Sequence, residues 1–311
     1  ARSAAAEPTI AARPHGGRLF RKYLLLILSL VTGALLASGA ISIYFTYRET
    51  TELLADLQRE KAIAAAARIE EYVKRIAQQL SIAALPQVAV GDVEQRRIEF
   101  LKLLRQAPEV TDVAQIDATG HEEITVSRLG MDVVGSRRDR SQESAFRNAT
   151  PAQPWFGPVY FRKETEPYMT IALRPGGATG PATVAEVNLK FIWDVVSRIR
   201  IGDKGKAYVV DHHGFLVADP DIGLVLRKTQ LSSLPHVKAA LAGATGEGVL
   251  AADLSGAKVL AAMAPIETLG WKVFVEQPAA EVYARLDASI LRTLLLLAAG
   301  LVVSAGGALA L

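Results

Sequence analysis

Apolar residues are concentrated in two uncharged runs near the ends of the chain, and the region between them alternates apolar and polar positions. The first run extends from Tyr23 to Tyr47 and holds 25 residues without a charge. The second extends from Thr293 to Leu311. About 20 apolar residues are enough for a helix to cross the hydrocarbon core of a bilayer. The pattern therefore predicts a transmembrane helix at 23–47 and a second one within a helix at 279–311.

Charged residues beside the first run indicate its orientation. Basic residues lie just before it, at 18–22, whereas Arg48 is followed at once by acidic residues. Because basic residues favour the cytoplasmic side, residues 1–22 are predicted to be a cytoplasmic tail and residues about 48–292 to lie outside a bacterial inner (cytoplasmic) membrane. A cleaved signal peptide is the competing interpretation, although the run exceeds the roughly 7 to 15 residues of a signal core. We also expect the chain to be part of a longer protein with a cytoplasmic output domain.

A segment that favours helix follows the first run. Residues 46–85 contain no Pro or Gly, so a long stalk helix is predicted at 48–86. Seven of its apolar residues recur at alternating steps of four and three, namely Ala62, Ala66, Ile69, Val73, Ile76, Leu80 and Ala83. This spacing is typical of a narrow buried stripe or of a coiled-coil seam. The stripe therefore fits burial under the chain's own sheets and contact with a partner helix in a homodimer equally well.

The region after the stalk has an α+β pattern. Short alternating segments separated by turn residues predict antiparallel strands, with helices between them. A first module is predicted at 87–200, with strands at 113–117, 123–127, 157–161, 168–173 and 183–189 and helices at 93–106, 141–148 and 191–199. A second, smaller module is predicted at 201–278, with strands at 206–211, 215–218, 249–253, 258–265 and 269–276 and a helix at 234–242.

Charge and composition exclude several classes of function. The net charge is only +3, and part of it lies before the first apolar run, which indicates contact with the lipid bilayer and no nucleic-acid partner. The sequence has no Cys, so disulfides and thiolate chemistry are excluded. His212 and His213 have no third metal ligand at a suitable spacing, and no hydrolase or phosphate-binding motif occurs. The chain is predicted to be neither an enzyme nor the holder of a cofactor.

Three stretches carry a resemblance to a known family. They are PVYFRKETEPYMTIA at 158–172, VAEVNLKFIWDVV at 184–196 and GKAYVVDHHGFLVADPD at 205–221. With the layout of helix, larger sheet unit, smaller sheet unit and second span, residues 45–290 resemble double Cache (dCache) sensor domains. The resemblance implies an α+β fold of two tandem PAS-like antiparallel-sheet modules packed on one long N-terminal helix, flanked by two transmembrane helices.

The resemblance also implies a function. Such domains are the small-molecule sensors of transmembrane receptors, usually homodimers, and the membrane-distal module usually holds the ligand. The stretches are most similar to those of sensor histidine kinases and nucleotide cyclases, and less to those of chemoreceptors. A membrane-tethered module that binds or assembles with another protein, without signalling, is the alternative, and a chemoreceptor sensor is the second alternative.

The resemblance further indicates site residues. Members that bind amino acids carry an Arg-x-Trp-Tyr stretch, a Tyr-x-Asp stretch and a later Asp. These positions fall on Glu143 to Phe146, on Tyr160 to Arg162, and on Glu186. The carboxylate-binding Arg is therefore replaced, and an ordinary α-amino acid is not the expected ligand.

What remains at these positions is a polar constellation. Its residues are Arg162, Tyr160, Glu186, Glu143 and Phe146, with Trp155 beside them. The planar guanidinium of Arg162 suits a carboxylate or phosphate, so a small anionic or zwitterionic metabolite is the predicted partner. The alternative is that Arg162 pairs with Glu143 or Glu186 and that no small molecule binds.

Overall fold

The computed structural model describes residues 17–85, 93–151, 153–162, 166–177, 179–244 and 248–310. Most of the predicted cytoplasmic tail and the predicted boundary between stalk and first module, at 86 and 87, lie outside the described residues. The chain divides into two compact units. One is Glu52–Val282, and the other combines the residues up to Thr51 with those from Tyr283 onward.

Seven helices occur in the described residues. In chain order, α1 to α7 are Gly17–Ala83, Val93–Gln106, Ser144–Asn148, Lys190–Arg198, Ile222–Leu226, Pro235–Leu241 and Ala279–Ala310. The first apolar run and the predicted stalk form one continuous helix, α1, which ends three residues before Pro86. The short helix α5 was not predicted, because five residues give no readable periodicity. Asp221 begins it by accepting a hydrogen bond from the Gly223 amide.

Within the described residues, the helical segment Ser29–Ala83 is long and apolar enough to cross a membrane, by length and composition. The second apolar run contributes a shorter apolar stretch, Ile290–Gly300, to α7. Large apolar side chains such as Leu30 and Leu296 are exposed in these regions. The second span, and with it the two-pass arrangement, stays a prediction.

The seven residues of the apolar stripe on α1 are all buried within one copy of the chain. They belong to a single core that includes α2, α4 and residues of both sheets described below. Burial under the chain's own sheets therefore accounts for the stripe. A homodimer stays a prediction; the stripe is not available to it, whereas other apolar residues of α1, such as Leu57 and Ile63, are exposed.

Among the described residues, the first sheet has seven antiparallel strands. In chain order, β1 to β7 are Val110–Ile116, Glu122–Ser127, Val133–Val134, Trp155–Phe156, Tyr160–Arg162, Glu166–Leu173 and Ala182–Asn188. The spatial order is β3-β2-β1-β7-β6-β4, and β5 also pairs with β6. The single strand predicted at 157–161 was wrong, because the chain leaves the sheet between β4 and β5. Pro158 lies in this gap and has no amide hydrogen for a strand ladder.

In the part of the second module that the structure describes, the sheet has five antiparallel strands. In chain order, β8 to β12 are Lys206–Val210, Leu216–Ala218, Val249–Ala252, Lys258–Ile266 and Trp271–Pro278. The spatial order is β10-β11-β12-β8-β9. Helix α6 packs against β10, close to the predicted position. The α+β fold with two antiparallel sheets on one long helix is therefore confirmed.

The loop between α4 and β8 connects the two sheets and is bonded to the start of α7. Glu281 accepts hydrogen bonds from the backbone amides of Asp203 and Lys204. The amide of Asp203 is the main reason that the pKa of Glu281 is lowered. Gly202 has a positive φ of 58°, and a Cβ there would overlap the Glu281 carboxylate. Glycine at this position therefore serves both the turn and the close approach of Glu281.

Candidate ligand-binding site

The two faces of the first sheet differ in character. Successive side chains of a strand point to opposite faces. On β7, Ala185 and Val187 face the main core, whereas Val184 and Glu186 line a cavity on the other face. The cavity has a volume of about 300 Å³ and also receives side chains from β1, β2 and the segment before α3. This volume is at the lower end of the range for small-molecule sites, about 300–1,000 Å³.

Two carboxylates lie next to each other among the residues that line this cavity. Asp112 of β1 is the direct register partner of Glu186 of β7. Asp112 pairs with Arg162 and accepts hydrogen bonds from the hydroxyls of Ser127 and Thr111. Although burial alone would raise the pKa of Asp112, these hydrogen bonds lower it below its usual value. Asp112 is therefore an ionised and well-satisfied carboxylate.

Glu186 is in the opposite situation. No donor among the described residues makes a hydrogen bond or ion pair with its carboxylate, and the side chain is half-buried. Burial and the neighbouring charge of Asp112 raise the pKa of Glu186 to about 7, which the more distant Arg140 offsets only in part. Near neutral pH, this carboxylate is therefore poised between its protonated and its ionised form.

The other charges of the cavity wall form a separate network. Arg140 contacts Glu143 at 2.7 Å and Glu122 at 3.3 Å. Glu122 also accepts a hydrogen bond from Ser136 at 2.8 Å. Arg138 lies 3.5 Å from Glu143, but its side chain is 71% exposed. Of the cationic groups that line the cavity, Arg138 is thus the most open to solvent.

A polar atom on β2 also lacks a hydrogen bond in the described structure. The hydroxyl oxygen of Thr125, which lines the cavity, is buried and has no hydrogen-bond partner among the described residues. An unpaired buried hydroxyl costs about 1–3 kcal/mol. Among the residues that line the cavity, Thr125 and Glu186 therefore each have a side-chain oxygen group that no described residue bonds, although the Thr125 oxygen itself is buried.

The structure brings only part of the predicted constellation together. Arg162 and Glu186 line the cavity. Glu143 does not line it, but it forms an ion pair with Arg140, which does. The predicted ion pair of Arg162 with Glu143 or Glu186 is not what forms, because Asp112 lies closer to the guanidinium. Any contact of these residues with a ligand stays a prediction.

The three aromatic residues predicted for the site, Phe146, Tyr160 and Trp155, are not among the residues that line the cavity. Phe146 and Trp155 pack against a small apolar cluster on the same face of the sheet. Phe146 also stacks under the guanidinium of Arg174, 4.3 Å from the ring centroid. Tyr160 packs against Tyr168 with ring centroids 6.1 Å apart. These three aromatic residues therefore pack against other parts of the first module, and their contact with a ligand stays a prediction.

Sequence reasoning missed several residues of the cavity, namely Asp112, Glu122, Thr125, Arg138 and Arg140. A signal existed for Asp112, because it lies between the apolar residues Val110 and Val113, and a carboxylate in a strand that becomes mostly buried is unusual unless it is paired or functional. The charged run at 137–140 was a second signal. Neither signal could indicate which of these charges meet, since the strands involved are far apart in sequence.

Comparison with known proteins now places the chain in a family. The sequence matches the Cache domain family over residues 46–286, and the chain belongs to that family, in its double form, dCache. Such a domain is an extracytoplasmic sensor of a membrane receptor and not a catalytic domain, so the resemblance predicted from sequence is confirmed. No curated protein matches the sequence.

Solved structures of similar fold are ligand-binding domains of chemoreceptors. The domain of Campylobacter jejuni Tlp3 with 4-methylisoleucine has a TM-score of 0.60 and 12% identity, and the match covers 76% of this chain and 96% of that one. The domain of Pseudomonas aeruginosa PctC with GABA has a TM-score of 0.57 and 16% identity, and the match covers 72% of this chain and 99% of that one. The domain of Pseudomonas fluorescens CtaA with L-isoleucine has a TM-score of 0.57 and 15% identity, and the match covers 77% of this chain and 98% of that one. At these identities the likeness concerns the fold.

Proposed function

We propose that this chain is the sensor region of a transmembrane signalling receptor, and that the cavity on the first sheet binds a small zwitterionic metabolite whose ammonium group contacts Glu186. The observation that carries the proposal is the state of Glu186. Among the described residues, it is the carboxylate of the cavity that has no donor, whereas Asp112 and Glu122 each have several. An ammonium group would supply the missing donors and the missing positive charge.

The anionic end of the ligand is assigned to Arg138. Its guanidinium lines the cavity, is largely exposed and makes one long ion pair with Glu143. Arg162 was the residue predicted from sequence for this role, but its guanidinium forms an ion pair with Asp112. In this proposal Arg162 holds the Asp112 carboxylate in place, and the guanidinium of Arg138 donates hydrogen bonds to the ligand carboxylate.

The ligands named in the solved relatives have matching chemistry. Isoleucine, its 4-methyl derivative and GABA all carry one ammonium and one carboxylate group. The positions that grip an α-amino acid in the family are altered here, with Glu143 in place of the carboxylate-binding Arg. We therefore propose the broader class of zwitterions and leave the spacing of the two charged groups to experiment.

The output domain is a separate part of the proposal. The sequence stretches at 158–172, 184–196 and 205–221 favour a sensor histidine kinase or a nucleotide cyclase. The solved structures of similar fold favour a second candidate, a chemoreceptor. The coding sequence beyond Leu311 discriminates among them. A kinase or cyclase domain supports the first candidate and a methyl-accepting helical domain the second, while a short polar tail supports a tether without signalling.

A ligand screen tests the site. The full chain in lipid nanodiscs is mixed at pH 8 with a panel of amino acids, ω-amino acids, simple amines and carboxylic acids, and unfolding temperatures are recorded. We expect at least one zwitterion to stabilise the chain, and Glu186→Gln to lose that effect. Glu123→Gln is the matched control, because Glu123 is exposed on β2 and does not line the cavity. Stabilisation that survives unchanged in Glu186→Gln would refute the assignment.

The extracytoplasmic location can be tested separately. The sequence has no Cys, so a single introduced Cys is an unambiguous label site. Met131 is 88% exposed near the first sheet, and Leu254 lies exposed near the second. Met131→Cys and Leu254→Cys should both react with a membrane-impermeant maleimide in cells whose outer barrier is permeabilised. Labelling of either residue only after lysis of the inner membrane contradicts the proposed topology.

A further inference from the structure

Four cationic side chains line one groove in a part of the chain that the proposed site does not use. Lys61 and Arg68 project from α1, and Arg198 and Arg200 from the end of α4 and the linker that follows it. The groove has a volume of about 350 Å³. None of the described residues that line it is acidic, whereas the cavity on the first sheet is lined by as many carboxylates as arginines.

The sequence of α1 shapes one side of this groove. Lys61 and Arg68 are seven residues apart, which is about two helical turns and places them on one face of the helix. Ala64 and Ala65 lie between them, and their short side chains leave the space open. Ala65 is buried, as is Val195 of α4 on the opposite side. The groove therefore has a cationic rim over a small apolar floor.

The end of α4 forms the other side. The helix ends at Arg198, and Ile199 then has extended backbone angles, with φ of −75° and ψ of 109°. Alternate residues of an extended segment project to the same side, so Arg198 and Arg200 both reach the groove. The ammonium group of Lys61 donates a hydrogen bond to the carbonyl oxygen of Arg200 at 2.7 Å. This bond holds the linker against α1.

The three guanidinium groups of the groove are exposed and have no carboxylate partner. No described residue makes an ion pair or a side-chain hydrogen bond with Arg68, Arg198 or Arg200. Arg140 and Arg162 of the first module, in contrast, each pair with a carboxylate. Like charges that share a groove repel one another, and a bound anion would replace this repulsion by attraction. The arrangement therefore favours a ligand with more than one negative charge.

We propose that this groove is a second binding site, which takes a small solute with a phosphate group, such as a phosphate monoester. A phosphate carries nearly two negative charges near neutral pH, and its oxygens match the planar fork of donors of a guanidinium. The organic part of the ligand lies over the apolar floor at Ala64, Ala65 and Val195. The bound phosphate connects α1 to the linker after α4. This site is independent of the one proposed on the first sheet.

The position of the groove along α1 favours a free solute over a lipid headgroup. Lys61 and Arg68 follow Tyr47, the last residue of the predicted span, by two and three helical windings and more. At 1.5 Å per residue, they lie about 20–30 Å along the helix from that end. A headgroup at the membrane surface does not extend over this distance. The two sources of phosphate can therefore be separated by experiment.

The test uses the full chain in nanodiscs of phosphatidylcholine, titrated calorimetrically at constant ionic strength. Glycerol 3-phosphate is the probe, and glycerol is the matched molecule without phosphate. We expect saturable binding of the first and none of the second. The same affinity is expected in nanodiscs that contain phosphatidic acid. Absence of saturable binding overturns the proposal, and loss of binding in the presence of phosphatidic acid assigns the groove to lipid instead.

A pair of uncharged variants locates the site. Ala64 is exposed, so Ala64→Leu fills the groove without a clash in the core and without a change of charge. Ala67→Leu is the matched control, because Ala67 is exposed on the same helix and does not line the groove. The affinity for glycerol 3-phosphate should fall at least tenfold in the first variant and stay unchanged in the second. Equal affinities of the two variants contradict the site.

Charge variants separate this site from general attraction and from the first cavity. Arg200→Gln should weaken binding at least tenfold, whereas Arg59→Gln should not, because exposed Arg59 lies outside the groove on α1. An equal loss in both variants indicates unspecific attraction and overturns the proposal. Arg138→Gln should also leave the affinity for glycerol 3-phosphate unchanged. A tenfold loss in that variant places the phosphate in the cavity on the first sheet and likewise refutes the second site.

Discussion

Asp112 and Glu186 face each other directly across β1 and β7, which places two carboxylates side by side in the wall of one cavity. The two carboxylates differ in their ion pairing and in their pKa. Asp112 is paired with Arg162 and has a lowered pKa, whereas Glu186 has a raised one. Like charges at this separation oppose each other's ionisation, so the pairing of Asp112 contributes to the proton affinity of Glu186.

The first prediction concerns the stability of Glu186→Gln. Glu186 has a pKa of about 7 in the folded chain, against a usual value of 4.5. Its contribution to stability is therefore fully present below pH 4.5 and is lost as pH rises to about 7. At pH 8 the Gln variant should be more stable than the parent chain by about 1–2 kcal/mol, because each pKa unit corresponds to about 1.4 kcal/mol and solvent screens part of it.

Unfolding temperatures at pH 4.5 and pH 8 measure this effect. The two proteins should differ at pH 8 and agree at pH 4.5. Glu123→Gln, at an exposed position, should show no such difference at either pH. If Glu186→Gln gains no stability at pH 8, the raised proton affinity is not present.

The second prediction follows from the proposed contact of an ammonium group with Glu186. The contact needs the ionised carboxylate, so binding should strengthen as pH rises through the pKa of about 7. The ionised fraction grows about tenfold between pH 6 and pH 8, and the affinity should rise by about the same factor. Calorimetric titration of a stabilising zwitterion at the two pH values measures it. An affinity that is constant or falls with pH contradicts the contact.

A third prediction concerns the ion pair of Arg162 with Asp112. Arg162→Ala leaves a half-buried carboxylate without its cation, and we expect a loss of about 1–2 kcal/mol. Asp112→Asn alone should also destabilise the chain, but the double variant should cost less than the sum of the two. Unfolding free energies in a double-mutant cycle measure this coupling. Strict additivity of the two effects indicates that the pair makes no net contribution.

The fourth prediction concerns the apolar stripe of α1. Leu80 is completely buried, whereas Ile82, two residues later on the same helix, is 60% exposed. Leu80→Ala should cost about 2–5 kcal/mol, because it opens a cavity in the core shared by both sheets. Ile82→Ala should change stability by less than about 0.5 kcal/mol. Thermal unfolding followed by circular dichroism compares the two. A large effect of Ile82→Ala would indicate a partner on that face, such as a second copy.

Much of the fold could be predicted from sequence, because its elements have strong local signals. The absence of Pro and Gly at 46–85 predicted the helix that α1 contains, and the alternation at 168–173 and 183–189 predicted β6 and β7. The break at Pro158 and the short helix α5 were missed. At both places a single residue determines the local structure, namely Pro158 at the break and Asp221 at the start of α5. A search for periodic patterns does not detect such single-residue effects.

The candidate site was predicted less completely, for a physical reason. Arg162 and Glu186 could be identified because the family resemblance fixes their positions along single strands. Their partners depend on which strands become neighbours. The register of β1 against β7 places Asp112 beside Glu186, and β5 then brings Arg162 to Asp112. Such pairings between distant parts of the chain have no counterpart in local spacing.

Hydrogen bonds from the amides of Asp203 and Lys204 to Glu281 connect the linker between the sheets directly to the first turn of the last helix. Helix α4, which follows the strand of Glu186, ends only a few residues before this linker contact. A displacement that begins at β7 therefore has a route of fewer than twenty residues to the helix carrying the second apolar run. Because hydrogen bonds constrain direction as well as distance, a change in the orientation of this linker would also change the orientation of the first turn of α7.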